Sequence, residues 1–318
     1  MLAYAFRRTL VAIGLVWVVV TLVFLALYLV PGDPVELLLS GGGGVAPDPA
    51  TIAEYRDKLG LDRPMLAQYL DYLRQLAVLD LGTSFQDDHS VAEEVWRRLP
   101  RTLELIVAAG VISLLVGVPA GAFAAVRAGG LFDRIASGVA AFFLSVPVFV
   151  VGTVIILVFA QTLRWSSAGG YVPFAQDPLR HIGLLMMPAS AIAVGLASTV
   201  FRIARTSVAE MLARDWVRTA RAKGLTEPRV VRRHVVRNAA SPVLTVFALH
   251  LGALLGGTVL VEYVFNWPGL SSFLVRAVEA RDYPEVRGIV LVISTLFVFL
   301  NLAVDLLYAA LDPRVRHG

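Results

Sequence analysis

Four ionisable residues fall inside long apolar runs of this sequence: Glu104, His250, Glu262 and Asp305. A charged side chain at the centre of a bilayer-spanning helix costs about 2.5–3.5 kcal/mol, so ionisable residues in such runs ordinarily mark proton or ion paths. Glu104 and Glu262 lie near the outer ends of their runs and Asp305 near the inner end, which leaves His250 alone toward the middle of one. A lone histidine there reads more often as a hydrogen-bonded helix contact than as a relay. Proton-driven transport resting on intramembrane carboxylates is therefore disfavoured. Other chemistry lacks its residues. No Gly-x-x-x-x-Gly-Lys-Ser/Thr loop is present to wrap phosphates, and the run Gly41 to Gly44 has no lysine after it. There is no Glu-x-x-His or zincin pairing for a metal and no Gly-x-Ser-x-Gly elbow for a nucleophile. With 0 cysteines the chain has no disulfide, thiolate site or thiol nucleophile.

The other candidate constellation is a basic stretch, Asp215 to Pro242, lying between apolar runs. Trp216, Ala220 and Gly224 recur at i, i+4 and i+8, so on a helix they share one face. Arg214, Arg218 and Arg221 form a separate basic stripe. Gly224 ends the helix, and Thr226 is placed to cap a second one with Pro228 in its first turn. The charge alone is that of a solvated cytoplasmic loop obeying the positive-inside rule. A small-residue face before a glycine break adds what a docking element needs, which is close approach of a partner's backbone.

The elements that position these residues are apolar helices. The chain has 318 residues, 57% of them hydrophobic, and a net charge of +4. Several runs of about 20 residues carry few or no charges, the length that crosses a hydrocarbon core of about 30 Å. The expectation is an all-α, polytopic membrane protein with about six transmembrane helices. The basic residues flank the runs as the positive-inside rule asks, so nucleic acid is not implied as a partner. Residues 1–30 hold a cytoplasmic N-terminus and a first span, uncharged from Thr9 to Leu29 after Arg7 and Arg8 and read as uncleaved. Residues 31–98 form an acid-rich extracytoplasmic segment with an amphipathic helix over Pro64 to Leu79. It serves either to dock a partner or as a lid on the bundle. Residues 99–310 supply five further spans, near 99–126, 135–163, 182–200, 243–264 and 289–310, with the basic loop at 205–240. Residues 311–318 end the chain inside. Gly110, Gly117 and Gly121 leave gaps for close helix approach. Pro147, His250, Gly252 and Gly256 are candidates for helix packing or for lining a translocation path.

The sequence "RTARAKGL" in the basic loop resembles the Glu-Ala-Ala…Gly cytoplasmic loop of binding-protein-dependent ABC importer permeases, in the form found in the first membrane subunit of dipeptide, oligopeptide and nickel importers. Ala220 and Gly224 match the loop's final alanine and its glycine, while Arg218 and Thr219 stand at its first two positions. "PGDP", "LGLDRPMLAQYLDYL", "LDLGTSF", "RLPRTLEL", "EYVFNWPGL", "ARDYPEVRG" and "DLLYAALDPRVR" resemble the same subunits in order and spacing, so the resemblance spans essentially the whole chain. It implies a type I ABC importer permease fold in a bacterial or archaeal cytoplasmic membrane. It also implies a homologous second permease subunit, two ATPase subunits that bind ATP and magnesium, and an extracytoplasmic substrate-binding protein. Asp215, Trp216, Thr219, Ala220, Lys223 and Gly224 would then form the ATPase-coupling loop. Di- or oligopeptides are the first substrate expectation, with a nickel chelate, haem or another small solute as alternatives. A stand-alone secondary transporter or channel and an intramembrane enzyme are the competing classes.

Overall fold

The computed structural model describes residues 2–29, 35–36, 48–58, 62–165 and 167–311. The Pro31–Pro34 motif, the Gly41–Gly44 run and the closing residues 312–318 lie outside them. The chain divides into two compact units, Met1–Pro100 with Ser272–Leu302, and Arg101–Ser271 with Ala303–Gly318.

The first unit contains α1 (Leu2–Leu29), α2 (Pro49–Lys58) and α3 (Met65–Ala77). The amphipathic helix expected over Pro64 to Leu79 is thus α3, with Arg74 in its last turn. Its apolar side meets α1: the Phe24 ring lies 5.2 Å from Tyr69 and 5.8 Å from Tyr72, and Thr21 Oγ1 is 2.7 Å from the Tyr69 hydroxyl. The Arg287 guanidinium sits 4.2 Å above the Tyr72 ring. Among the described residues there is no β-strand, only an isolated antiparallel bridge between Thr83 and Ser90.

Chain order continues with α4 (Val91–Val126), α5 (Leu131–Ser145) and α6 (Val148–Ile155), which runs on as a π-helix over Ile156–Thr162. Then come α7 (Pro178–Leu212), α8 (Asp215–Ala222), α9 (Glu227–Val230) with a π-turn Val231–Val235, α10 (Val236–Gly257), α11 (Val259–Val264), α12 (Leu270–Glu279) and α13 (Tyr283–Leu311). Among the described residues, five helices are long and apolar enough to cross a membrane, or six if the α5–α6 pair counts as one span. That pair is where a continuous third span was expected. It bends by 105° at Val146 and Pro147, because proline cannot donate to the preceding turn and drives the residue before it to extended backbone.

In the second unit α4 packs on α7 through glycine. A Cβ on Gly117 would stand 2.8 Å from the Ala197 carbonyl, and one on Gly121 2.5 Å from that of Phe201. Leu196, Val200, Ala204 and Val243 fill the space between α7 and α10. Asp133 in α5 is buried and chelates Arg205 of α7 through both carboxylate oxygens, with Arg205 Nη2 at 2.8 Å from Oδ2. It also accepts from the Gly129 amide at 2.8 Å. The short turn after α4 is thereby tied to the end of the helix that leads into the basic loop.

Candidate coupling surface

The basic stretch folds as a helix, a left-handed glycine and a second helix. α8 is two turns long and is followed by a closed Schellman turn. The Gly224 amide donates to Arg221 O at 2.9 Å and the Leu225 amide to Ala220 O at 3.3 Å, with Gly224 at φ 79. Only glycine adopts that backbone without a Cβ penalty. Arg221 then reaches Glu227 across the turn through Nε–Oε2 at 2.9 Å and Nη2–Oε1 at 2.6 Å, joining α8 to the start of α9. Thr226 stands at the N-cap position of α9 with extended backbone, but its side chain makes no capping bond; Pro228 occupies the first turn as expected.

What holds α8 down is Val217, which the spacing argument did not single out. It is fully buried against Ala125, Val208, Val230, Val235 and Ala239, with Ala220 and Leu225 at the edge of the same cluster. Asp215, Trp216, Thr219, Lys223 and Gly224 are exposed, while Ala220 is half-buried and turned toward the body. The Trp216–Ala220–Gly224 stripe therefore straddles the boundary of the helix rather than forming one outward face. A large aromatic ring, 37% exposed and 6.4 Å from the His234 ring, is left at the rim beside a backbone turn open on its outer side. The surface offers an apolar anchor, small residues and basic side chains, a combination suited to binding a protein rather than to catalysis.

The other candidate residues are not gathered into a site. Pro147 is exposed at the α5–α6 bend, and His250 is exposed on α10. Gly252 is buried, whereas Gly256, one turn on, faces open space. Two acids of the apolar runs, Glu262 and Glu104, are committed to structure. Glu262 is wholly buried and accepts from the Thr102 hydroxyl at 2.7 Å, and that hydroxyl accepts from the Leu270 amide at 2.7 Å. The Trp267 indole donates to Arg101 O at 3.0 Å, so "EYVFNWPGL" is a clasp between α11 and the start of α4 in this unit. Glu104 pairs with His181 Nε2 at 2.6 Å, while Nδ1 of that buried ring reaches Val172 O at 2.7 Å. Asp305 lies on α13.

With this architecture in hand, the chain's relatives define its class. A family model described as "Binding-protein-dependent transport system inner membrane component" matches residues 117–317, and the N-terminal model of the same systems matches residues 1–106. The chain belongs to this family: it is a multi-pass membrane permease subunit of an ABC importer, not itself an enzyme, and it works in a complex with ATPases. It is 37% identical over 340 residues to the "Di/tripeptide transport system permease protein DppB" of Pseudomonas aeruginosa, covering 100% of this chain and 99% of that one. It is 36% identical over 347 residues to the "Dipeptide transport system permease protein DppB" of Escherichia coli K12, again covering 100% and 99%. Among solved structures, the inward-facing MetNI methionine ABC transporter matches with a TM-score of 0.56 at 19% identity, over 69% of this chain and 96% of that one. That likeness bears out the all-α importer permease fold. The secondary-transporter and intramembrane-enzyme readings are not favoured.

Proposed function

We propose that this permease imports di- or oligopeptides delivered by an extracytoplasmic binding protein, and that α8 and Gly224 pass the movement of the ATPases to the membrane helices. The observation that carries the coupling role is the anchored α8. Val217 fixes the helix to the body and the Arg221–Glu227 pair spans the turn to α9, while Trp216, Thr219, Lys223 and Gly224 remain exposed. A helix held this way transmits displacement, since a packed element moves with its support and does not deform continuously. Support for peptides comes from the names of relatives aligned along the full chain. The complete importer then holds a second, homologous permease subunit and two ATPase subunits carrying ATP and magnesium. Alternating access follows as the ATPase pair closes and the two permease bundles open outward.

Proteoliposomes holding the whole complex test the substrate. ATP inside and binding protein outside should give uptake of labelled dipeptide, and omission of the ATPase subunits should abolish it. Uptake by this chain alone would overturn the reading, as would a complete, ATP-hydrolysing complex that carries another solute and no peptide.

Orientation in the bacterial or archaeal cytoplasmic membrane belongs to the same proposal. Both termini and α8 lie inside, because the basic residues cluster there. The absence of cysteine makes Thr226→Cys a single reporter at an exposed position. An impermeant maleimide should label it only after cells are opened. Labelling in intact cells would put the loop on the other side.

A further inference from the structure

Within the first unit, a tight hairpin sits against the start of α13. The Thr83–Ser90 bridge closes it, with the Ser84 amide bonded to His89 O at 2.9 Å, and Asp88 takes the left-handed turn position at φ 57. One fully buried carboxylate organises the junction. Asp282 accepts from Ser84 Oγ at 2.6 Å and from the amides of Phe85 at 2.9 Å and Gln86 at 3.3 Å, and it also caps α13 by accepting from the Glu285 amide at 3.2 Å. This anchoring brings together three side chains that carry metal-ligand atoms. Asp87, His89 and Glu285 place one ligand atom each within 4.8 Å of one another. The His89 Nδ1 contacts Asp87, and Nε2 lies 3.2 Å from Glu285 Oε1.

Two features set this cluster apart from ordinary surface acids. Glu285 is only 7% exposed, yet no hydrogen bond from a described residue reaches its carboxylate. The Nε2 atom of His89, also buried, makes no hydrogen bond either, because its approach to Glu285 lacks the required alignment. Buried polar atoms are nearly always satisfied. Here a buried nitrogen without a hydrogen bond faces a carboxylate whose side chain is 9% exposed. The hairpin is held on α13 chiefly through Asp282, which accepts from three of its donors.

We propose that Asp87, His89 and Glu285 form a binding site for a divalent cation of the zinc type. Glu285 and His89 Nε2 supply its buried side, and Asp87, with a side chain 64% exposed, completes it from the rim. One imidazole with two carboxylates suits zinc and its neighbours. Three ligands are too few for calcium, which takes roughly 6–8 oxygens. Bonds of about 2.0–2.2 Å to one ion require Asp87, which contacts Nδ1, to swing round the ring toward Nε2, and its exposure leaves it free to do so. Bound metal would pin residues 84–90 to α13. The site is independent of what the permease transports.

The test uses the full chain carrying a histidine-free tag, purified in mild detergent, stripped with chelator and titrated with zinc chloride against a fluorescent competitor. The absence of cysteine keeps the background low. One zinc per chain is expected, weakened at least tenfold by His89→Ala and by Glu285→Gln and unchanged by His250→Ala. X-ray absorption at the zinc edge should show one imidazole nitrogen among oxygen ligands. If Glu285→Gln fails to fold, the partly exposed His89 position decides the matter alone. Equal zinc binding by wild type and His89→Ala would overturn the site, as would less than one zinc per wild-type chain or an all-oxygen shell.

Discussion

Gly224→Asp is expected to yield a permease that inserts and folds but neither holds its ATPases nor imports. Nothing lies within 4 Å of the position a Cβ would take at Gly224, so the fold itself accepts a side chain there. The backbone at φ 79 adds strain of roughly 1–2 kcal/mol for an L-residue, and aspartate is among the residues that tolerate this region best. The Schellman turn and the Val217 anchor should therefore survive. What changes is the outward side of the turn, where bulk and a negative charge enter a surface that we assign to a partner. Desolvating an unpaired charge at a contact costs several kcal/mol, and each 1.4 kcal/mol is about tenfold in affinity. Recovery of ATPase subunits with the tagged permease should fall at least tenfold, and ATP-driven uptake should fall with it. Gly224→Ala, which carries the strain without the charge, should retain most assembly. Arg229→Ala on α9 should do less still, since an exposed basic residue is worth little. Normal assembly and uptake by Gly224→Asp would remove α8 from the coupling role.

The membrane helices and the helix–glycine–helix form of the basic loop were legible because both depend on local signals. Uncharged runs near 20 residues, a small residue every fourth position and a glycine at a helix end each act within one element. The amphipathic α3 was legible for the same reason. What lay beyond the sequence depends on partners distant in the chain. Asp133 meets Arg205 across 72 residues, Glu104 meets His181 across 77, and Ser84 meets Asp282 across 198. No spacing rule pairs such residues. The rule that ionisable residues in apolar runs mark ion or proton paths did single out Glu104 and Glu262, without saying that both are held in structural pairs. The basic loop shows the limit of face arguments. Periodicity put Trp216 and Ala220 on one side, but Val217, one position away, is the residue that points inward. In so short a helix a single tertiary contact fixes the rotation. The bend at Pro147 was missed: the third span was expected to be continuous, and the chain changes direction by 105° there.

Gly121→Leu is expected to give a large loss of stability in the bundle. A Cβ at Gly121 would meet the Phe201 carbonyl oxygen at 2.5 Å, the Ala204 Cβ at 2.8 Å and the Arg205 amide nitrogen at 3.0 Å. Two of these atoms are backbone, so no rotamer change can relieve the contact, and α4 must move away from α7. Overpacking a well-packed core costs about 1–3 kcal/mol, with more when the backbone shifts. In a membrane the separation has no compensating hydrophobic term, because helix association there rests on close packing. Moving α7 at this point also strains the Arg205–Asp133 chelate, in which Asp133 is buried and has few other donors to turn to. The variant's unfolding midpoint in detergent should drop by roughly 5 °C or more, with a matching fall in its level in membranes. Gly183→Leu is the control: it lies on α7 itself, changes the same chemical group and meets nothing within 4 Å. It should unfold with the wild type. If Gly121→Leu did the same, the two helices would not be held together through the glycine contact, and the support for α8 would have to come from Val217 and its cluster alone.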